Sequence, residues 1–361
     1  MKIYNLLPIF IRYSLISALF TAGVTALPVG IVNTVPENIN LLSVGDWGSA
    51  ALGGYHLKNA QSTAYAMKIY ASEYKPKLVL NTGDNFYYCG IQNSSDTQIS
   101  DDYLNLFGNI GLPWYNALGN HDYGFNPDAQ LELNQTIPQW IMDARYYHRR
   151  IDFNSSYVEN GIALNIIALD TNPCVNDYMG DDRAKWDPCG IQYPICSPVA
   201  GVCMFHENII NQSCKTQLDW FNATLSGIPS TEWVFVVGHH KADEIDAEDF
   251  QSLLGSDRVN LYLNGHNHNL EHYSIDGNAK YMTTGAGGMV IIGSNGHSNV
   301  KLHEASSEFK HRKHDFKSVW SKITTGFSSH TFIDKGTKVK TEFWDVGQNV
   351  LYDFTTSHLR L

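Results

Sequence analysis

Five short clusters of metal-ligand type, each led by a glycine, follow one another along this chain: Gly45-Asp46-Trp47-Gly48, Gly83-Asp84-Asn85-Phe86-Tyr87, Gly119-Asn120-His121-Asp122, Gly238-His239-His240 and Gly265-His266-Asn267-His268. Short apolar runs over 41–44, 78–80, 234–237 and 261–263 precede four of them and read as buried strands. A cluster so placed sits at the carboxyl end of a strand, where open α/β sheets build their sites. A single glycine-acid turn carries little information, because turns favour Gly, Asp and Asn for backbone reasons alone. Five in this order are not explained as turns, and together they supply enough ligands for two metal ions.

The segments between the clusters follow a regular plan. A strand over 39–45, a helix over 59–73 ended by Lys75-Pro76, and a strand over 77–83 form a β-α-β unit. A helix over 98–107 and strands over 114–119, 146–153 and 162–170 come next. A helix over 216–226, a strand over 233–238, a helix over 248–254 and a strand over 260–265 complete the alternation. Beyond Asn269 the chain turns mostly to strands, including 279–284, 330–333 and 337–345. Alternating βαβ units followed by a run of strands fit two sheets packed face to face with helices outside. The stretch over 172–213 has no periodicity and reads as a disulfide-held excursion. Gly285-Ala286-Gly287-Gly288 reads as a tight backbone crossing near the site, with an ordinary turn as the alternative.

Residues 1–26 read as a secretory signal, with Lys2 and Arg12 ahead of an apolar stretch, Tyr13 to Val24, that exits at Val24-Thr25-Ala26. The stretch is short and mixed for a membrane span, and a signal anchor is the competing reading. Residues 27–361 are then expected to form one large domain, soluble and without stable membrane insertion. Five of the 6 cysteines, Cys174, Cys189, Cys196, Cys203 and Cys214, crowd into the excursion at about 172–214. Their spacings do not match paired metal knuckles, which favours disulfides, although sequence does not choose the pairing and leaves Cys89 either free or joined to a distant sulfur. Asn93, Asn134, Asn154, Asn211 and Asn222 begin glycosylation triplets, in keeping with N-linked glycans and an oxidising route. A net charge of -11 argues against nucleic acid as the main partner. Of the 15 histidines, the free ones gain charge as pH falls through roughly 6.5, which lessens repulsion of a phosphate anion in acid.

The five clusters, in this order and over most of the mature chain, resemble those of the purple acid phosphatases, most closely the small tartrate-resistant type. That resemblance implies a four-layer α/β/β/α sandwich of two mixed sheets flanked by helices. It also implies one metal ion held by Asp46, Tyr87 and His268, a second held by Asn120, His239 and His266, and Asp84 bridging the two. The most specific element follows Asp46. Most metallophosphoesterases place a His two residues further on, whereas this chain has Trp47-Gly48 there and offers Tyr87 in the second cluster. A phenolate is a hard, anionic ligand, so the exchange predicts Fe(III) at that position, beside a divalent Fe(II), Zn(II) or Mn(II) that Asn and two His suit alike.

The activity implied is that of a secreted acid phosphatase, or one of a lysosome- or vacuole-like compartment, that hydrolyses phosphate monoesters with a metal-activated hydroxide. Substrates would be small molecules or phosphoproteins. Asp46, Asp84 and an ionised Tyr87 bring about three negative charges against about five from the metals, leaving about two positive charges to bind an oxyanion. In the family's Asn-His-Asp motif, His121 contacts the phosphoryl group and assists the leaving oxygen, with Asp122 orienting it; the alternative is a hydrogen-bonded loop residue. The chain departs from the family at Glu248, where relatives carry another His, and at His240-Lys241, where they carry an aromatic and a proline. The expected substitute is His240, Lys241 or an acid among Asp243, Glu244 and Glu248, with simple packing as the alternative for His240. His272 reads as a surface histidine rather than a pocket rim, and the basic run over 297–317 as a solvated loop rather than a docking segment. Two other functions compete: a catalytically silent scaffold or anchor of the same fold, and a related phosphodiesterase or nucleotide hydrolase.

Overall fold

The computed structural model describes residues 38–155, 158–180, 186–190, 196, 203–290 and 314–358. The expected signal over 1–26 and most of the basic run over 297–317 lie outside them. Among the described residues no helix is long and apolar enough to cross a membrane.

The first part alternates strands and helices, as its apolar runs predict. β1 (Asn40–Val44) leads into α1 (Gly54–Tyr74) and β2 (Val79–Asn81), and a π-helix (Ile99–Phe107) precedes β3 (Trp114–Asn116) and β4 (Trp140–Ile141). β5 (Tyr147–Ser155) and β6 (Val158–Ala168) follow, then the short helices α2 (Asn176–Met179) and α3 (Phe205–Ile210) of the excursion. α4 (Cys214–Gly227), β7 (Trp233–Val237), α5 (Phe250–Leu254) and β8 (Leu261–Asn264) continue the alternation. The last part is strands: β9 (Leu270–Ile275), β10 (Asn278–Thr284), β11 (Phe316–Lys322), β12 (Gly326–Ile333), β13 (Lys338–Asp345) and β14 (Val350–Ser357). α1 begins earlier than its periodicity suggests, because Gly53 and Gly54, at φ 71 and 58, turn the chain directly into it. It ends at Lys75, which adopts the left-handed conformation ahead of Pro76.

The strands make two seven-stranded sheets, in the orders β14-β13-β12-β1-β2-β3-β4 and β11-β9-β10-β8-β7-β6-β5. β1 to β4 run parallel, and so do β6, β7, β8 and β10. Parallel strands covered on both faces need apolar side chains on both, which is why they read as continuous runs. In β7, Trp233, Phe235 and Val237 enter the core between the sheets with Leu41, Leu80 and Phe332. Val234 and Val236 face the other way, onto Phe221 and Leu225 of α4 and Leu254 of α5. Leu42 and Val44 of β1 face outward to Ala60 and Met67 of α1. The result is four layers: helix, sheet, sheet, helix.

Three disulfides, Cys89–Cys196, Cys174–Cys214 and Cys189–Cys203, account for all six cysteines. Cys89 therefore pairs with the distant excursion.

Candidate functional site

Register brings the clusters together. Leu42 pairs with Val79 and Val79 with Trp114, so the chain leaves β1, β2 and β3 at one edge and delivers Asp46, Asp84 and Asn120 side by side. β7 and β8 of the second sheet deliver His239, His266 and His268 in the same way.

The seven side chains meet in two groups. Tyr87 Oη lies 3.0 Å from Asp46 Oδ1, 2.8 Å from Asp84 Oδ2 and 3.2 Å from His268 Nε2. Asn120 Oδ1 lies 2.9 Å from His239 Nε2 and 3.0 Å from His266 Nδ1. His239 Nε2 is 3.4 Å from Asp84 Oδ1, so the two oxygens of Asp84 serve different groups.

Backbone geometry is bent to this purpose. Asp46, Asp84, His266 and His268 all have positive φ, at 55, 54, 70 and 50. Such conformations cost a non-glycine residue roughly 1–3 kcal/mol and cluster at functional sites. A side chain at Gly119 would collide with Asp84 Oδ1, and one at Gly285 would place its Cβ 2.8 Å from Asp46 Oδ2. The glycine crossing over 285–288 is thus packed against the site itself.

The donor set fits cations. Thr82 O, which can only accept, lies 2.8 Å from His239 Nδ1 and fixes the ring hydrogen there. The Nε2 lone pair then faces Asn120 Oδ1 and Asp84 Oδ1, an unfavourable arrangement unless a cation sits among them or the ring takes a proton. With protein groups alone, burial disfavours that proton, yet the Asp84 carboxylate outweighs it and lifts His239 to about 9. Burial, reinforced by the carboxylates of Asp46 and Asp84, pushes the Tyr87 phenol well above its ordinary value. Asp46 and Asp84 are fully buried, and among the described residues their ion-pair partners are histidines rather than Lys or Arg. Asp46, Asp84 and His239 can place ligand atoms within 4.8 Å of one another. Two buried carboxylates so placed lack positive charge that metal ions would provide.

A polar network that the spacing of the candidate ligands does not reveal borders these side chains. Asn81 Nδ2 donates to Asn85 Oδ1 at 2.6 Å and to Asn116 Oδ1 at 2.7 Å, while Trp47 Nε1 donates to Asn81 Oδ1 at 3.0 Å. Asn85 Nδ2 continues it to Gln130 Oε1 at 2.9 Å. Asparagines inside otherwise apolar strands were the available signal.

Residues expected to lie beyond the ligands divide sharply. His121 joins the site: its backbone N–H donates to Asp84 Oδ1 at 2.9 Å, and its ring sits 4.4 Å from that of Tyr87. The group orienting it is the Tyr88 carbonyl, 2.7 Å from Nδ1, in place of the expected Asp122. Asp122 instead accepts from the backbone N–H groups of Gly119, Asn85 and Phe86 at 2.8–3.1 Å, tying two ligand loops together. His240 is corrected to a packing role. Its Nδ1 bonds Thr171 Oγ1 at 2.8 Å and its Nε2 bonds Tyr178 Oη at 3.1 Å, so both nitrogens are engaged while the ring backs His266 at 4.5 Å. Lys241 points elsewhere, donating to Glu271 Oε2 at 2.6 Å, and Glu244 accepts from the Lys241 backbone N–H. His272 is neither rim nor surface: it is buried, bonded to Tyr352 Oη and stacked 3.8 Å from Phe354.

The family model of calcineurin-like phosphoesterases matches residues 39–270. Tartrate-resistant acid phosphatase type 5 of Mus musculus is 27% identical over 278 residues, covering 72% of this chain and 76% of its own length. Purple acid phosphatase 7 of Arabidopsis thaliana is 27% identical over 265 residues, covering 69% of this chain and 70% of its own. Among solved structures, GAP50, the anchor in the inner membrane complex of Plasmodium, superposes with a TM-score of 0.61 at 21% identity, covering 89% of each chain. That last likeness speaks to the fold alone.

Proposed function

The chain belongs to the calcineurin-like phosphoesterase family, and from that membership we propose that it is an acid phosphatase hydrolysing phosphate monoesters at a centre of two metal ions. One observation carries this reading: the two oxygens of Asp84 lie in separate donor groups, one rich in anionic oxygen and one built from Asn120, His239 and His266. Asp46, Tyr87 and His268 would hold Fe(III), and Asn120, His239 and His266 a divalent Fe(II), Zn(II) or Mn(II), with Asp84 serving both. When bound, such a pair leaves about two uncancelled positive charges, which attract an oxyanion and acidify water.

The chain's own residues supply position and a proton. With Nδ1 committed to the Tyr88 carbonyl, Nε2 of His121 is the ring atom left to serve the leaving oxygen of the phosphate. Asp122 acts through the backbone, holding the loops of Asp84 and Asn120 in one arrangement. Phosphate monoester cleavage passes through a loose transition state, so placement of charge and of this donor carries the reaction. Three disulfides and the exposed asparagines of five glycosylation triplets support a secreted or lysosome- or vacuole-like location with N-linked glycans.

The test is hydrolysis of p-nitrophenyl phosphate in acid, before and after metal removal. The expected result is activity that chelation abolishes and iron with zinc restores, and that exceeds activity on the matching diester. A chain loaded with two metals that cleaves neither ester would return the reading to an anchor of the same fold. Faster diester cleavage would move it to a phosphodiesterase.

A further inference from the structure

The excursion is fastened to the loops that carry His121 and Tyr87. Cys196 joins Cys89, two residues past Tyr87, and Cys189 joins Cys203. Met204 N donates to Gly124 O at 2.8 Å, and Asn208 Nδ2 donates to Tyr123 O at 3.0 Å and to Phe125 O at 2.7 Å. Just ahead of these fastenings in the chain, the half-buried indole of Trp186 meets the His121 ring edge to face, with centroids 4.9 Å apart and planes at 65°. The indole is itself backed by Phe205 at 5.1 Å and Tyr178 at 6.1 Å, both buried.

We propose that Trp186 is a positioning residue for His121, fixing the plane of its imidazole so that Nε2 meets the leaving oxygen of the substrate. The Tyr88 carbonyl restrains one ring atom, and the Tyr87 ring lies 4.4 Å from the imidazole. The indole adds an edge-to-face neighbour from the excursion, and such pairs favour a defined interplanar geometry. In the reaction a water oxygen bonds to phosphorus and gives up one proton to solvent as the bond to the leaving oxygen breaks. The electron pair stays on the leaving oxygen, which takes the Nε2 proton, and solvent reprotonates the ring. This role rests on the phosphatase reading and adds to it a contribution from the excursion.

The experiment compares Trp186→Ala, Trp186→Phe and His121→Ala in the metal-loaded full chain, on p-nitrophenyl phosphate and on an alkyl phosphate such as glycerol 2-phosphate. An alkoxide needs the donated proton far more than a nitrophenolate does. The expected result for Trp186→Ala is a loss in kcat of roughly 10- to 100-fold on the alkyl ester and little on the aryl ester. KM and metal content stay near wild type, and Trp186→Phe recovers most of the loss. Equal losses on the two esters, or a Phe variant no better than Ala, would overturn the positioning role. If His121→Ala is itself indifferent to the leaving group, the assignment of His121 fails first; if only Trp186→Ala is indifferent, the inference fails and the phosphatase reading stands.

Discussion

The ligand loops and the excursion over 172–214 border the same site yet are held in place by different means. Each loop continues a strand whose partners fix it by register, as Val79 fixes β2 between Leu42 and Trp114. The excursion contributes no strand to either sheet among its described residues and is held by disulfides, aromatic contacts and hydrogen bonds to loop carbonyls. Register positions backbone that side chains then inherit, so the loops can carry candidate ligands at positive φ such as Asp46 and Asp84. Cross-linking positions a surface, and it suits a wall such as Trp186 better than a ligand.

On that contrast, loss of a loop's candidate ligand removes metal and chemistry, whereas loss of the excursion's cross-link removes stability first. Asp84→Asn has the largest expected effect: metal content falls below two per chain and kcat/KM drops on the order of 10³-fold, the upper range for loss of one electrostatic stabiliser. Activity within tenfold of wild type would break the comparison at its stronger side. Replacing Cys89 and Cys196 together by Ser opens a loop with a sequence separation of 107. The chain-entropy account places the cost at about 4–5 kcal/mol, read from denaturant unfolding. Metal content is expected to hold under native conditions, and its loss would mean that the two regions are not independent.

Lys241→Met sharpens the comparison inside a loop, since Lys241 stands two residues after a candidate ligand yet pairs with buried Glu271. Breaking that pair should cost roughly 3–5 kcal/mol of stability while kcat at low temperature stays unchanged. The smallest effect concerns His330 between the sheets, bonded to Ser43 and Thr341. Burial lowers it to about 3, so the folded chain keeps it neutral while the unfolded chain takes a proton below about 6.5. Stability from this group is therefore present above that value and is lost as pH falls from 6.5 toward 3. His330→Gln is expected to flatten the fall in Tm over that window, and an unchanged slope would remove His330 from the acid response.

Much of the loop side of this comparison was legible in the chain. A glycine before each acid or imidazole marked where a strand ends and where two chain segments approach closely, as Gly119 approaches Asp84. Apolar runs marked strands because both faces are covered. What stayed hidden depended on direction rather than position. His239 and His240 are neighbours, but their rings part, one toward Asn120 and the other toward Thr171 and Tyr178. His272 sits within β9, just past a candidate ligand cluster, and reads as exposed until Phe354 of β14 covers it. Trp186 had no periodic context, and the pairing of Cys89 with Cys196 follows from the fold.

The central claim is that Tyr87 and six partners hold two metal ions, one of them ferric. The most direct measurement is the visible absorption spectrum of the purified protein and of Tyr87→Phe, each with its metal content determined on the same sample. Two metals per chain and a visible band that vanishes in Tyr87→Phe are the expected results. A wild-type protein without the band, or a band that survives loss of the phenol, would contradict the account.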